Sequence, residues 1–223
     1  MKKIFEKLKL ICKDILIFLG YMFIMTIMAI ILNYNSNNLT PLKELIIYII
    51  LSIYLFLVFR KQLISSFKDF KKNYKNYLKN GFKVYFLSYA LMIVVQSILY
   101  TVIGVLPANE VTNQAEIRNN IILSIITMCI IAPFQEELLF RQNFKNLFKN
   151  KIAFSIITGL IFGSMHLISS NSLIELPYII TYSIMGFSLG YIYFDTDNIY
   201  TSMALHSFNN TFSLIITLIE AYV

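Results

Sequence analysis

The chain has 223 residues, of which 57% are hydrophobic and 14% are charged, against roughly 25% charged residues in an average soluble domain. This composition, with a mean hydropathy of +0.67 and a net charge of +7, excludes an ordinary soluble globular protein. The low numbers of Gly (7), Pro (4) and Cys (2) also exclude collagen, a disordered chain and a disulfide-rich scaffold. No nucleic-acid motif accompanies the positive charge. The remaining class is an all-α polytopic membrane protein.

Seven long uncharged runs predict about seven transmembrane helices in one bundle. In chain order the runs are 15–32, 45–59, 84–106, 121–134, 152–168, 177–194 and 199–219. A spanning helix needs about 20 residues, so we expect the short second and fourth runs to extend into their polar flanks. The first run follows a basic segment but lacks a small-x-small cleavage site, so we interpret it as a retained anchor.

The basic residues predict the orientation of the chain. Seventeen of the nineteen Lys and Arg residues precede the first span or lie in the segments 60–83 and 141–151. Alternating helices bring all three segments to one side of the membrane, which predicts a cytoplasmic N-terminus and an outer C-terminus.

The segment 60–83 is predicted to be an amphipathic helix on the inner membrane surface, ending near Gly81. Its apolar stripe consists of Leu63, Phe67, Phe70, Tyr74 and Tyr77. We interpret it as a basic topology anchor in preference to a site that recruits an anionic partner. Within one membrane domain, residues 1–83 then form an N-terminal two-helix anchor and residues 84–223 form the core.

A few polar residues interrupt the predicted spans, although an ionisable group there costs about 2.5–3.5 kcal/mol on insertion scales. They are Glu136, Glu137 and Arg141 at the inner end of the fourth span, His166 in the fifth, and His206, Asn209 and Asn210 in the seventh. Both histidines of the chain belong to this set.

Helix geometry predicts that three of these residues lie in one layer. Glu136 and His166 are each fifteen residues from the turn expected between the fourth and fifth spans, which puts them at equal depth. His206 lies at a similar depth on the seventh helix. Glu137 can pair with Arg141 at the i, i+4 spacing, and we interpret this pair as structural. Glu136, about 100° around the helix, is left to face a cavity.

This layer suits the attack of water on a peptide carbonyl. Glu136 would take a proton from water that His166 holds, and His206 with Asn210, four residues later, would donate hydrogen bonds to the developing oxyanion. A single buried His bonded to a backbone carbonyl is the commoner case, but the matched depth with Glu136 favours a site. Asn209 is expected to bond a neighbouring helix, and no serine triad is evident.

Three short motifs occur in order on these helices. They are EELLFR with Glu136, Glu137 and Arg141, FGSMH with Phe162 and His166, and HSFNN with His206 and Asn210. On these residues, the segment 84–219 resembles the CPBP family of intramembrane proteases, also called the Abi or type II CAAX prenyl endopeptidase family. The resemblance implies a helical endopeptidase with catalytic Glu136, His166, His206 and Asn210. The resemblance also implies that Glu137, Arg141 and Phe162 support them.

Several alternatives stay open at the level of the sequence. Glu136, His166 and His206 could supply three ligands to a zinc ion, but the HExxH spacing is missing, so no cofactor is firmly implied. Other functions are a non-catalytic immunity or scaffold protein of the same fold, and a proton-coupled transporter. The expected partners are a membrane-associated peptide or protein substrate and the lipid bilayer, without nucleic acid. The expected location is the cell membrane, with the site open toward the cytoplasmic leaflet.

Overall fold

The computed structural model describes residues 2–32, 41–168, 170 and 172–222; residues 33–40 of the predicted anchor lie outside the described residues. The α-helices are α1 (Lys2–Ile31), α2 (Pro41–Ile103), α3 (Ala108–Asn119), α4 (Ile121–Ser124), α5 (Ala132–Glu137), α6 (Lys151–Met165), α7 (Ile179–Thr196) and α8 (Ile199–Tyr222). Two π-helical segments, Ile125–Ile131 and Leu138–Gln142, flank α5, and 3₁₀ turns cover Lys145–Leu147 and Leu173–Tyr178. No strand occurs in the described part of the chain, so the predicted all-α membrane bundle is confirmed.

Four helical stretches of the described chain are long and apolar enough to cross a membrane: Phe5–Ile31, Leu42–Ile103, Ile121–Leu147 and Leu173–Thr196. They contain five of the seven predicted spans, because the second and third lie together in α2. The fifth predicted span corresponds to α6, which is apolar but has only 15 residues. The seventh corresponds to α8, whose 24 residues include the polar side chains named above.

Helix α2 differs from its prediction, because it is one uninterrupted helix of 63 residues. Gly81 does not end it, and the expected domain boundary after residue 83 falls inside it. A straight helix of this length would measure about 95 Å. Glu44 in its first turn and Tyr100 in its last turn nevertheless line the same cavity. The helix must therefore bend back on itself, which allows it to supply both predicted spans.

Gly81 has a packing role instead of a terminating one. A Cβ atom at this position would lie 2.5 Å from Leu205 Cδ1 of α8. A larger residue would therefore require the buried Leu205 side chain to shift.

The apolar stripe of 60–83 packs against the start of α8, which corrects the expectation of a free amphipathic helix. The rings of Phe67 and Phe70 lie 5.4 and 6.1 Å from the ring of Tyr200. The Asn198 side chain donates hydrogen bonds of 2.8 Å to the Ser66 carbonyl and to an Asp69 carboxylate oxygen. The stripe thus fixes the turn between α7 and α8, while the lysines of the segment remain exposed.

Helices α6 and α7 approach each other through glycines. A Cβ on Gly159 would lie 2.7 Å from the Phe187 nitrogen, and a Cβ on Gly186 would lie 2.9 Å from Gly159 Cα. Gly163 meets the α7 backbone in the same way, at Ile179 O. Such contacts gain van der Waals energy that larger residues would prevent in a bilayer, where apolar burial alone does not favour helix association.

The first two helices pack into the same core as the rest of the chain. Buried apolar residues from α1, α2, the α5 region, α6, α7 and α8 form one cluster: Ile17, Leu55, Phe59, Leu63, Leu138, Leu139, Phe140, Phe154, Phe162, Tyr193, Ile199 and Met203. Large apolar side chains remain exposed on the outer faces, as helices in contact with lipid require.

The close approach of α6 and α7 predicts that Gly159→Ala destabilises the bundle by about 1–3 kcal/mol, because the new methyl group overlaps the α7 backbone. Thermal unfolding in detergent measures this loss. Ile157→Ala on the same helix, at a side chain that is 42% exposed, is the matched control and should change stability little. Equal unfolding temperatures for Gly159→Ala and the wild type would contradict the packing.

Candidate active site

The two glutamates of the site lie on α5, between the two π-helical segments. The wider turns appear in the hydrogen bonds from Ala132 N to Thr127 O and from Asn143 N to Leu138 O, each spanning five residues. Pro133, the second residue of α5, has no N–H to donate, so a regular α-helical ladder cannot continue through it. Single π turns often occur at functional sites.

Glu137 occupies the buried centre of the site. Its Oε1 forms an ion pair of 3.0 Å with Arg141 Nη1 and lies 2.9 Å from His206 Nδ1, and both Glu137 and Arg141 are completely buried. Arg141 also donates from Nη2 to Gly186 O over 3.2 Å and lies 4.6 Å from the centre of the Phe162 ring. The i, i+4 pair expected from the sequence is thus present, and it joins α5 to α6, α7 and α8.

Glu136 differs from its neighbour because it faces a cavity. Its side chain is 26% exposed, and its Oε2 lies 3.8 Å from His206 Nε2, beyond hydrogen-bonding distance. That oxygen has no hydrogen-bond partner in the described part of the chain. Oε1 of Glu137 is thus held in the interior by Arg141 and His206, whereas the Glu136 side chain faces the cavity.

His166 follows the last residue of α6, at the wall of the same cavity. Its Nδ1 is 2.9 Å from the Phe162 carbonyl oxygen, which can only accept a hydrogen bond, so Nδ1 carries the proton. The ring packs between Phe162 and Tyr182, at centroid distances of 4.2 and 4.9 Å. The neutral imidazole therefore has its lone pair on Nε2.

The seventh predicted span places three more site residues along α8. His206 is 3% exposed and lies between the carboxylates of Glu136 and Glu137. Asn210 donates to the Met128 carbonyl of the first π segment over 2.8 Å, which leaves the second hydrogen of its amide free. Asn209 bonds a neighbouring helix as expected, because its Oδ1 accepts from the Tyr85 hydroxyl over 3.1 Å.

A cavity of about 740 Å³ joins these groups, within the size range of roughly 300–1,000 Å³ typical of ligand sites. Glu136, Phe162, His166, His206 and Asn210 all line it. It extends away from the basic segments toward α3, and no residue of 60–83 or 141–151 lines it. The cavity thus extends toward the end of the bundle opposite the basic segments, whereas we expected the site to open toward them.

Sequence reasoning missed Gln135, which fixes α5 against the first two helices. Its Oε1 accepts from the Tyr21 hydroxyl over 2.8 Å, and its Nε2 donates to Tyr48 O and Ser52 Oγ over 2.7 and 2.9 Å. Gln135 is 3% exposed and directly precedes Glu136. A buried amide among apolar residues was the available signal, but its partners on α1 and α2 do not follow from sequence spacing.

A metal ion does not fit the observed donor geometry. Among the residues that the structure describes, no three His, Cys, Asp or Glu side chains are close enough to share one ion. Glu136, His166 and His206 line one cavity without forming a three-ligand set. The following reaction steps therefore use the side chains alone.

Comparison with known proteins gives one family model and one relative. Residues 118–212 match the family model described as Type II CAAX prenyl endopeptidase Rce1-like, and this segment contains all three motifs. A Bacillus subtilis (strain 168) relative described as "Putative membrane peptidase YdiL" is 29% identical over 126 residues, which cover 55% of this chain and 49% of the relative. The chain thus spans about half the length of that relative. No solved structure matches the chain.

The buried ion pair predicts unequal effects of single and double substitutions. Arg141→Met should destabilise the protein by about 3–5 kcal/mol, because it leaves the Glu137 carboxylate buried without the guanidinium. The double variant Glu137→Gln with Arg141→Met should recover most of this loss in detergent unfolding.

Lys151→Met is the control for this prediction, since its pair with Asp195 is 31% and 50% exposed. Loss of an exposed pair should cost about 1 kcal/mol or less. A double variant that is no more stable than Arg141→Met would contradict the interpretation of a buried compensated pair.

Proposed function

We propose that this chain, whose residues 118–212 match the family model described as Type II CAAX prenyl endopeptidase Rce1-like, is an intramembrane endopeptidase. It would hydrolyse a peptide bond of a membrane-associated peptide or protein. The observation that carries the proposal is that Glu136, His166 and His206, from three different helices, line one cavity. The relative described as a membrane peptidase supports the same reaction class.

In this proposal Glu136 is the general base. Glu136 lines the cavity and its side chain is 26% exposed, whereas Oε1 of the buried Glu137 is held by Arg141 and His206. The water oxygen attacks the carbonyl carbon while one water proton passes to Glu136, which later returns it to the leaving amine. General acid–base help of this kind typically contributes about 10² to 10⁴ in rate.

His166 would hold the attacking water. Because its Nδ1 proton is committed to the Phe162 carbonyl, its Nε2 accepts a hydrogen bond from the water. The flanking rings of Phe162 and Tyr182 restrict the orientation of the imidazole. This arrangement supports a positioned nucleophile in place of a freely diffusing one.

His206 and Asn210 would stabilise the oxyanion. In this role His206 would donate from Nε2, since its Nδ1 contacts Glu137, and Asn210 would use the amide hydrogen that does not bond Met128. A single donor of this kind is typically worth about 10² to 10³ in rate.

The first prediction concerns the base. Glu136→Gln and His166→Ala should each lower the turnover of membrane-anchored peptide substrates by about 10²-fold or more. Purified protein in detergent, a peptide pool and mass spectrometry of the products would measure this. Thermal unfolding should stay close to wild type, because neither side chain belongs to the buried ion pair.

Glu6→Gln, at an exposed site on α1, is the matched control and should cleave at the wild-type rate. Full cleavage by Glu136→Gln would overturn the proposed mechanism. A cellular phenotype that survives both site substitutions would favour a non-catalytic immunity or scaffold role, and proton-driven flux in liposomes would favour a transporter.

The second prediction concerns the metal. Because the described donors form no three-ligand site, cleavage should persist in excess EDTA or phenanthroline, within about twofold of the untreated rate. Loss of cleavage that added zinc restores would show that the cavity rearranges around an ion. That result would assign Glu136 and the two histidines as ligands.

A further inference from the structure

Four glutamates line the end of the cavity away from Glu136, His166 and His206. They are Glu44, Glu110, Glu116 and Glu220, and no Lys or Arg of the described chain lines the cavity. They come from three elements: the first turn of α2, α3, and the last turns of α8. We call these four residues the acidic wall.

The carboxylates of the acidic wall are close enough to repel one another. Burial raises the pKa of Glu110; a Gln114 hydrogen bond lowers it in part, and the Glu220 carboxylate raises it. Burial also raises the pKa of Glu116, and the Glu44 carboxylate raises it further. A cation that entered the cavity would relieve this repulsion.

A buried polar group beside the wall can offer a hydrogen bond to a ligand in the cavity. Thr217 on α8 is 3% exposed and lines the same cavity, one turn before Glu220. Its hydroxyl forms no hydrogen bond with any residue that the structure describes. On the catalytic side, the 4% exposed side chain of His206 has its Nε2 at 3.8 Å from Glu136, also short of a hydrogen bond. Buried groups of this kind normally have partners.

The shape of the cavity distinguishes between a metal ion and a longer cation. No three acidic or His side chains in the described chain are close enough to hold one ion. The carboxylates are instead distributed along a cavity of about 740 Å³, where Tyr89 and Tyr100 offer aromatic faces. Several separate positive charges on an extended chain fit this pattern, with cation–π contacts to the tyrosines.

We propose that the acidic wall selects cationic peptides, whose Lys or Arg side chains or free N-terminal ammonium lie beside α3 while the scissile bond lies at Glu136. This inference rests on the proposed function and names its substrate class. The wall would act on binding, since complementary charge orients a peptide and excludes anionic competitors.

A binding experiment tests the wall without requiring turnover. Three fluorescent peptides of equal length, identical except for three positions that carry Lys, Gln or Glu, are titrated against the Glu136→Gln protein in nonionic detergent. We expect the Lys peptide to bind about tenfold more tightly than the Gln peptide, the Glu peptide to bind most weakly, and the preference to fall as salt increases.

Two triple variants with the same net charge locate the effect. The wall variant carries Glu110→Gln, Glu116→Gln and Glu220→Gln. The control variant carries Glu6→Gln, Asp195→Asn and Asp197→Asn, all outside the cavity. The wall variant should lose most of the preference for Lys, to about threefold or less, while the control keeps it. Equal preferences in all three proteins, or equal losses in both triple variants, would overturn the proposal.

Cleavage of the same peptides by the wild-type enzyme separates this inference from the proposed function. Cleavage at equal rates for all three peptides would support the protease proposal and contradict selection by the acidic wall. Binding that depends on peptide charge, without any cleavage, would support selection by the acidic wall and contradict the protease proposal.

Discussion

The buried pair of Glu137 and Arg141 is the interaction on which the rest of the site depends. Arg141 contacts a carbonyl of α7 and a ring of α6, and Glu137 holds His206 of α8. Burying two charges is expensive unless each is compensated, so helices that did not meet here would leave a charge unpaired in an apolar interior. The pair therefore sets how four helices converge, and it also decides which carboxylate remains available. Glu137 is held in the buried ion pair, whereas its neighbour Glu136 faces the cavity.

The helical geometry of α5 is enough to place the adjacent residues Glu136 and Glu137 in different surroundings. The 100° rotation between consecutive residues turns one carboxylate to the centre of the bundle and the next to the cavity. Gln135, one position earlier, points in a third direction and forms hydrogen bonds with α1 and α2. Three consecutive polar side chains thus contact three different sets of neighbours. Helices α1 and α2, outside the matched family segment, thereby contribute to the position of α5 and do not act only as anchors.

The sequence predicted which polar residues line one cavity better than it predicted how the helices bend and pack. The reason is physical. In a strongly apolar chain a buried charge is costly, so Glu136, His166 and His206 were conspicuous, and local spacing predicted the ion pair of Glu137. The bend of α2, the packing of Phe67 on Tyr200 and the hydrogen bonds of Gln135 depend on contacts between distant segments, which local patterns do not contain. The glycine Gly159 went unnoticed for the same reason, because its importance comes from Gly186 on another helix.

The direction of the cavity also could not be read from local patterns, and it changes how charge is distributed over the molecule. Basic residues dominate one end of the bundle, and the cavity extends from the catalytic layer toward the other end, where its lining is acidic. In the orientation predicted from the basic segments, the acidic wall lies at the outer face and the lysines anchor the inner face. A cationic peptide approaching from outside would then meet attractive carboxylates first. The membrane potential, negative inside, would draw the same charges deeper, toward Glu136. Substrate charge, cavity charge and topology would therefore act in the same direction, and an anionic peptide would be opposed by the carboxylates and the potential together.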